Sequence, residues 1–206
     1  MNLVSQPHKA PETVIFIGPQ GSGKGTQIER LDAHLRSVDP ARKIADIQSG
    51  RKFRAFAADE EGYTADHIRE TLNTGILQPL FLSVALWGTE MVHMVDPNSH
   101  VLIDGFPRAV PEAIVLETAF EFYKRENISV VFLDTPEEVV RQRMVARARE
   151  DDTADSIEER LSWYREKTLP VVEYYRDRPH TNLITIDGTK TVDEVSAEII
   201  LALGYV

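Results

Sequence analysis

Thr13-Val-Ile-Phe-Ile-Gly-Pro-Gln-Gly-Ser-Gly-Lys-Gly-Thr26 decides how the rest of this chain is read. Thr13 to Ile17 is a short, apolar, β-branched run, the composition of a buried strand. Gly18, Gly21, Gly23 and Gly25 follow, with Lys24 among them. From Thr26 a helical pattern opens, with Ile28, Leu31 and Leu35 on one face. Strand, glycine-rich turn, lysine and helix together specify a phosphate-binding loop. Glycines let the backbone fold tightly with its N–H groups turned inward. The first turn of the helix adds free N–H groups and the positive end of its dipole. Gly21, Ser22, Gly23, Lys24, Gly25 and Thr26 are therefore the expected phosphate cradle. The usual hydroxyl directly after the lysine is displaced by Gly25 and comes at Thr26.

Working outward, short apolar runs recur at Thr13–Ile17, Lys43–Ile47, His100–Ile103, Ile128–Leu133 and Asn182–Ile186, separated by segments long enough for helices. This alternation predicts an α/β, three-layer P-loop fold with a five-stranded parallel sheet and helices on both faces. In such sheets, ligands bind beyond the carboxyl ends of the strands. Residues 49–79 do not fit one crossover helix, because Gly62, Gly75 and Pro79 divide them; small helices forming a flap are expected, one of them over Ala65–Thr74. Leu80–Val95 is apolar on most sides and is expected to be buried. Asp104 ends a strand opposite the loop, a position that could hold Mg²⁺ through its waters, although a turn or helix cap would also suit it. Arg108 follows at the mouth of the same cleft. Pro136 to Ala148 reads as a helix with Arg143 and Arg147 four apart on one face. Two such charges repel unless an anion or nearby glutamates sit between them. Asp151-Asp152-Thr153 reads as an acidic turn, and Thr153–Arg178 as a further helix interrupted at Pro170.

Composition narrows the function. The 206 residues suit one domain: a loose, flexible N-terminal extension is expected over 1–12 and a single domain over 13–206. A formal net charge of −10 argues against a nucleic-acid-binding face. The chain has no cysteine, so disulfides, thiolate metal sites and thiol nucleophiles are excluded. No stretch has the apolar length of a membrane span or of a signal core, so a soluble cytoplasmic protein is expected.

These residues resemble the adenylate kinases, within the nucleoside monophosphate kinases. Gly18–Gln27 is similar to that family's phosphate loop, including the glycine after the lysine. Asp104-Gly105-Phe106-Pro107-Arg108 is similar to its most specific signature. Asp151–Thr153 between Arg149 and Arg160 resembles its lid edge, and Ile186–Lys190 its last strand and turn. The resemblance implies Mg²⁺-dependent transfer of the ATP γ-phosphoryl group to a nucleoside monophosphate, AMP first, by a monomer. It places Lys24 and the loop on the ATP phosphates, Arg143 on the adenine, Arg147 at the transferring phosphate and Lys190 near the donor base. It places Ser49, Arg54, Ile76, Leu77, Gln78, Gly105, Phe106, Pro107, Arg108 and Glu112 around the acceptor. Arg149 and Arg160 would clamp both nucleotides, with 49–79 as acceptor flap and 148–152 as a minimal lid. The chemistry agrees: phosphoryl transfer asks for positioning and positive charge more than covalent work, and arginine's planar fork suits phosphate oxygens.

The chain also departs from that pattern. Ser49 stands for a threonine and Arg51 for an aspartate. Glu112 stands where the family has glutamine to read adenine. A carboxylate can only accept hydrogen bonds, which suits the two donors of guanine better. GMP or a pyrimidine monophosphate is therefore an alternative acceptor. A non-catalytic nucleotide sensor is an alternative of another class, and the intact set of cations argues against it. A motor ATPase would need an activated water and a coupling surface, and the sequence offers neither.

Overall fold

The computed structural model describes residues 10–147, 149 and 151–205. Five strands form one parallel sheet: β1 (Thr13–Ile17), β2 (Ile44–Gln48), β3 (His100–Asp104), β4 (Ile128–Asp134) and β5 (Thr181–Asp187), in the order β2-β3-β1-β4-β5. β1 is central and buried along its whole length. Alternate side chains of a strand face opposite ways, so Ile15 and Ile17 enter one layer while Val14 and Phe16 enter the other.

The first layer is closed by α4 (Leu80–Met94), α5 (Val110–Phe122) and α8 (Leu169–Arg176), through Trp87, Leu116 and Tyr175. The second is closed by α1 (Lys24–Val38) and α9 (Val192–Ala202), through Ile28, Leu31 and Ile199. The three-layer fold expected from the strand alternation is the fold found. Register sets the site: Phe16 and Gln48 both lie opposite Asp104, so the turns after β1, β2 and β3 share one edge of the sheet.

The segment after β2 forms α2 (Ser49–Asp59) and α3 (Tyr63–Thr74), held by a small core of Phe53, Ala57, Ile68 and Leu82. α3 ends at Gly75, which takes the left-handed conformation. α4 is less buried than its composition predicts, because Phe81 and Val92 are exposed while Leu82, Trp87 and Met91 face the core. The helix has one covered face, and its outer apolar residues meet solvent. α6 covers Glu137–Arg147, and Ala148 lies outside the described residues. The expected helix over Thr153–Arg178 divides into α7 (Ala154–Trp163), a π-helical turn (Tyr164–Thr168) and α8. Pro170 sits in the first turn of α8, where its missing N–H costs nothing within the helix. Of the expected loose extension, residues 1–9 lie outside the described residues. Glu12 is packed: its N–H donates to His100 Nδ1 at 2.9 Å, and Tyr205 Oη donates to its carboxylate at 3.1 Å.

Candidate active site

The turn between β1 and α1 opens into a cavity of about 640 Å³ at the carboxyl edge of the sheet. The turn is possible only with glycine at 21. Its φ is +87°, and an added Cβ would lie 2.9 Å from the Val140 carbonyl oxygen of α6. α1 begins at Lys24, two residues before the expected start, so Gly23 is its N-cap. The Lys24 ammonium folds back and donates to the carbonyls of Gly18 and Pro19, each at 2.8 Å. Burial pushes its pKa down to about 8, against the opposing charge of Asp104 and with help from Arg108 and Arg147. A cation that pays for desolvation without a full counter-charge is a cation prepared for an anion.

Arginines converge on the other walls. Arg143 approaches the Ser22 carbonyl at 3.4 Å from α6. Arg147, one turn on, donates to Asp152 at 2.5 Å. Arg160, from α7 and almost wholly buried, donates to the same carboxylate at 2.5 Å and to Asp151 at 2.7 Å. Burial alone would raise the Asp152 carboxyl; the hydrogen bond from Arg147 and the charges of Arg147, Arg160 and Arg149 hold it below its usual value. Asp152 thus fixes two guanidinium groups beside the cavity. The sequence marked it only as part of an acidic turn. Arg149 is exposed and lines the cavity; Glu150, also in the expected lid, lies outside the described residues.

A further wall is made by the loop after β3. Gly105 has φ +84°, and an added Cβ would come within 2.5 Å of Ser49 Oγ. Arg108 Nε donates to the Gly105 carbonyl at 2.6 Å, and the guanidinium lies 5.1 Å from the Trp163 ring centroid. Thr168 Oγ1 donates to the Arg108 carbonyl at 2.9 Å. Trp163 also donates its Nε1–H to the Gly75 carbonyl at 2.9 Å, and Arg160 donates to the Leu72 carbonyl at 3.1 Å, so α7 is joined to the end of α3. Sequence reasoning missed Trp163 and Thr168, whose partners lie far away in the chain.

Most of the expected site residues meet here. The loop residues, Arg54, Ile76, Gln78, Asp104, Gly105, Phe106, Pro107, Arg108, Arg143, Arg147, Arg149, Arg160 and Lys190 line the cavity. Three do not. Ser49 is buried and its hydroxyl donates to the Gly105 carbonyl at 2.8 Å. Leu77 is not on the wall. Glu112 is only 3% exposed and stands behind the wall, its carboxylate turned to protein donors rather than to the cavity. Its Oε1 receives Ser83 Oγ–H at 2.6 Å and Trp87 Nε1–H at 3.1 Å, and its Oε2 receives the Arg108 N–H at 2.6 Å. Lys190, also on the cavity wall, pairs with Glu198 at 2.6 Å.

The residues present suit Mg²⁺ held through water. Asp104 Oδ1 is buried with no hydrogen-bond partner, and among the described residues no three acidic, histidine or cysteine side chains cluster. One carboxylate beside a phosphate cradle is how this ion is commonly held, since it keeps most of its waters.

A glycine loop with a half-buried lysine, sharing one cavity with a set of arginines, is the site of a P-loop nucleotide-binding kinase. Comparison with known proteins narrows the class. The sequence profile described as "Adenylate kinase" matches residues 16–180. "Adenylate kinase 1" of Nostoc sp. is 36% identical over 191 residues, covering 93% of this chain and 98% of that protein. "Adenylate kinase 1" of Schistosoma mansoni is 36% identical over 196 residues, covering 90% of each. "Adenylate kinase" of Mycobacterium tuberculosis is 35% identical over 192 residues, covering 93% and 98%. The chain belongs to the adenylate kinase family and is accordingly a nucleoside monophosphate kinase, a transferase. Among the described residues no helix is long and apolar enough to cross a membrane.

Proposed function

We propose that this enzyme transfers the γ-phosphoryl group of Mg-ATP reversibly to AMP, giving two ADP. The observation that carries the reading is the joining of two half-sites in one cavity. The Lys24 loop, Arg108, Arg54 and the end of α3 all line it, together with Arg147 and Arg160, which Asp152 holds as a pair. A donor phosphate on the loop and an acceptor phosphate at Arg108 would share these two arginines, the positions of developing charge in an in-line transfer. Mg²⁺ on Asp104 would neutralise phosphate charge. Lys24, Arg108, Arg147, Arg149 and Arg160 are the catalytic set in this reading. Residues 49–79 are the acceptor flap in this reading, and the minimal lid is the segment 148–152, of which Ala148 and Glu150 lie outside the described residues. The enzyme acts as a cytoplasmic monomer. AMP is favoured because relatives similar over most of the chain are named adenylate kinases and because the carboxylate that argued for guanine is already occupied.

The test is a coupled assay with Mg-ATP and AMP, GMP, CMP or UMP. Transfer to AMP with a kcat/KM at least about a hundredfold above the others is expected, the scale of a site that pairs with a base edge. Preference for another monophosphate would replace the acceptor, and absence of transfer to all four would replace the activity.

A further inference from the structure

Glu112 is a buried acidic side chain beside an anion-binding cavity, an expensive place for a negative charge unless its partners require it. The partners do. Oε1 faces the Trp87 indole N–H and Oε2 faces the Arg108 backbone N–H. Both groups donate and neither can accept. Ser83 shares Oε1, and its hydroxyl can turn to donate or accept. A side chain in this place must therefore present an acceptor at both ends. A carboxylate does; the isosteric glutamine sets its NH₂ against one obligate donor.

The same network reaches the reaction cavity by two routes. Arg108 is held at its backbone by Glu112 and at its guanidinium by Gly105. Trp87 is stacked on Phe106 of the same loop, ring centroids 4.9 Å apart and planes 5° from parallel. α4, the first turn of α5 and the loop carrying Arg108 are thus tied through one buried carboxylate.

We infer that Glu112 is a positioning residue: it does not touch the acceptor base, but fixes Arg108 for the acceptor phosphate through the Arg108 N–H, with Trp87 and Ser83 as its counterpart donors on α4. The inference rests on the reading of Arg108 as the acceptor-phosphate residue. It is independent of which base is preferred.

The test is the kinetics of Glu112→Gln and of the double variant Glu112→Gln/Trp87→Phe, alongside wild type. For each protein, KM and kcat are measured with AMP, KM is measured for ATP, and GMP, CMP and UMP are measured as substrates or as competitors of AMP. E112Q is expected to raise the KM for AMP by about tenfold or more, as misplacement of a phosphate contact does. The three other monophosphates should weaken by the same factor, leaving the base profile unchanged, and KM for ATP should stay within about twofold. The double variant removes the indole N–H, keeps a ring on Phe106 and lets Ser83 accept from the new amide, so the KM for AMP should return most of the way. A role in stability alone would move neither the acceptor–donor split nor the rescue. If E112Q does not fold, the double variant, whose donors and acceptors balance, is compared with wild type and must show the unchanged base profile. A profile altered in either variant would mean that Glu112 reads the base and would overturn the inference. So would an E112Q enzyme with wild-type acceptor KM, or one that Trp87→Phe does not rescue. If wild type prefers a base other than adenine, the AMP reading fails while the Glu112 comparison is unaffected.

Discussion

Lys24 carries the strongest prediction that belongs to a single residue. Its pKa, lowered by burial to about 8, places its titration near working pH. Below that value the ammonium is charged and attracts phosphate; above it the charge is lost. KM for ATP should therefore rise as pH increases through about 8, by up to tenfold per pH unit until the bound-state pKa is reached. A flat ATP profile between pH 7 and 9.5 would show that Lys24 does not meet the donor phosphates. Lys24→Ala and Arg108→Ala should each lower kcat/KM by a factor on the order of a hundred or more, with circular dichroism unchanged, because each removes a charge from the phosphate path. A variant with near-normal turnover would displace the site.

At the scale of elements, the junction of α6 and α7 depends on one carboxylate. The Asp152 side chain is fully buried between Arg147 and Arg160, and Arg160 is almost as inaccessible. Removing one member of a buried ion group leaves the others uncompensated. Asp152→Asn should destabilise the enzyme by about 3 kcal/mol and lower Tm by roughly 10 °C, readable by calorimetry. Saturating ATP analogue, whose phosphates replace the missing charge, should recover part of that loss. An unchanged melt would mean that the arginines are held by other contacts. The N-termini of α7 and α9 are closed locally: Thr153 Oγ1 accepts from the Ser156 N–H, and Thr191 with Glu194 forms a capping box.

For the whole molecule, the opposite end of the sheet supplies a pH prediction. His100 is buried; its Nδ1 accepts the Glu12 N–H, and its Nε2 lies 3.6 Å from Asp39, beyond a hydrogen bond. Burial and then the charge of Arg42 push its pKa down, partly offset by Asp39 and Glu12. The folded protein therefore binds this proton less readily than the unfolded chain. Stability is fully present above about pH 6.5 and falls as pH drops below it, by at most about 1.4 kcal/mol per pH unit from this group. His100→Asn, whose amide oxygen can still accept from Glu12, should flatten that limb in urea melts between pH 7.5 and 5. An identical limb in both proteins would assign the acid sensitivity to other groups.

The succession of strands and helices along the chain, the phosphate loop and most of the cavity wall are legible without the structure; the order of strands in the sheet is not. The legible features depend on local constraints: β-branched runs, glycines at a tight turn, and cations at fixed spacing. The sequence also marked Pro170 as an interruption, though not the π-helical turn before it. What tertiary structure alone decided is where side chains with long-range partners point. Glu112 has the right position in sequence to face a base, yet Ser83 and Trp87, 29 and 25 residues away, and the Arg108 N–H hold its carboxylate behind the wall. Ser49 turns its hydroxyl to Gly105, 56 residues on. Asp152 becomes the shared partner of two arginines only when α6 and α7 pack together. A buried polar group takes whatever partner the fold brings within reach, because leaving it unpaired costs more than any preference legible in its neighbours along the chain.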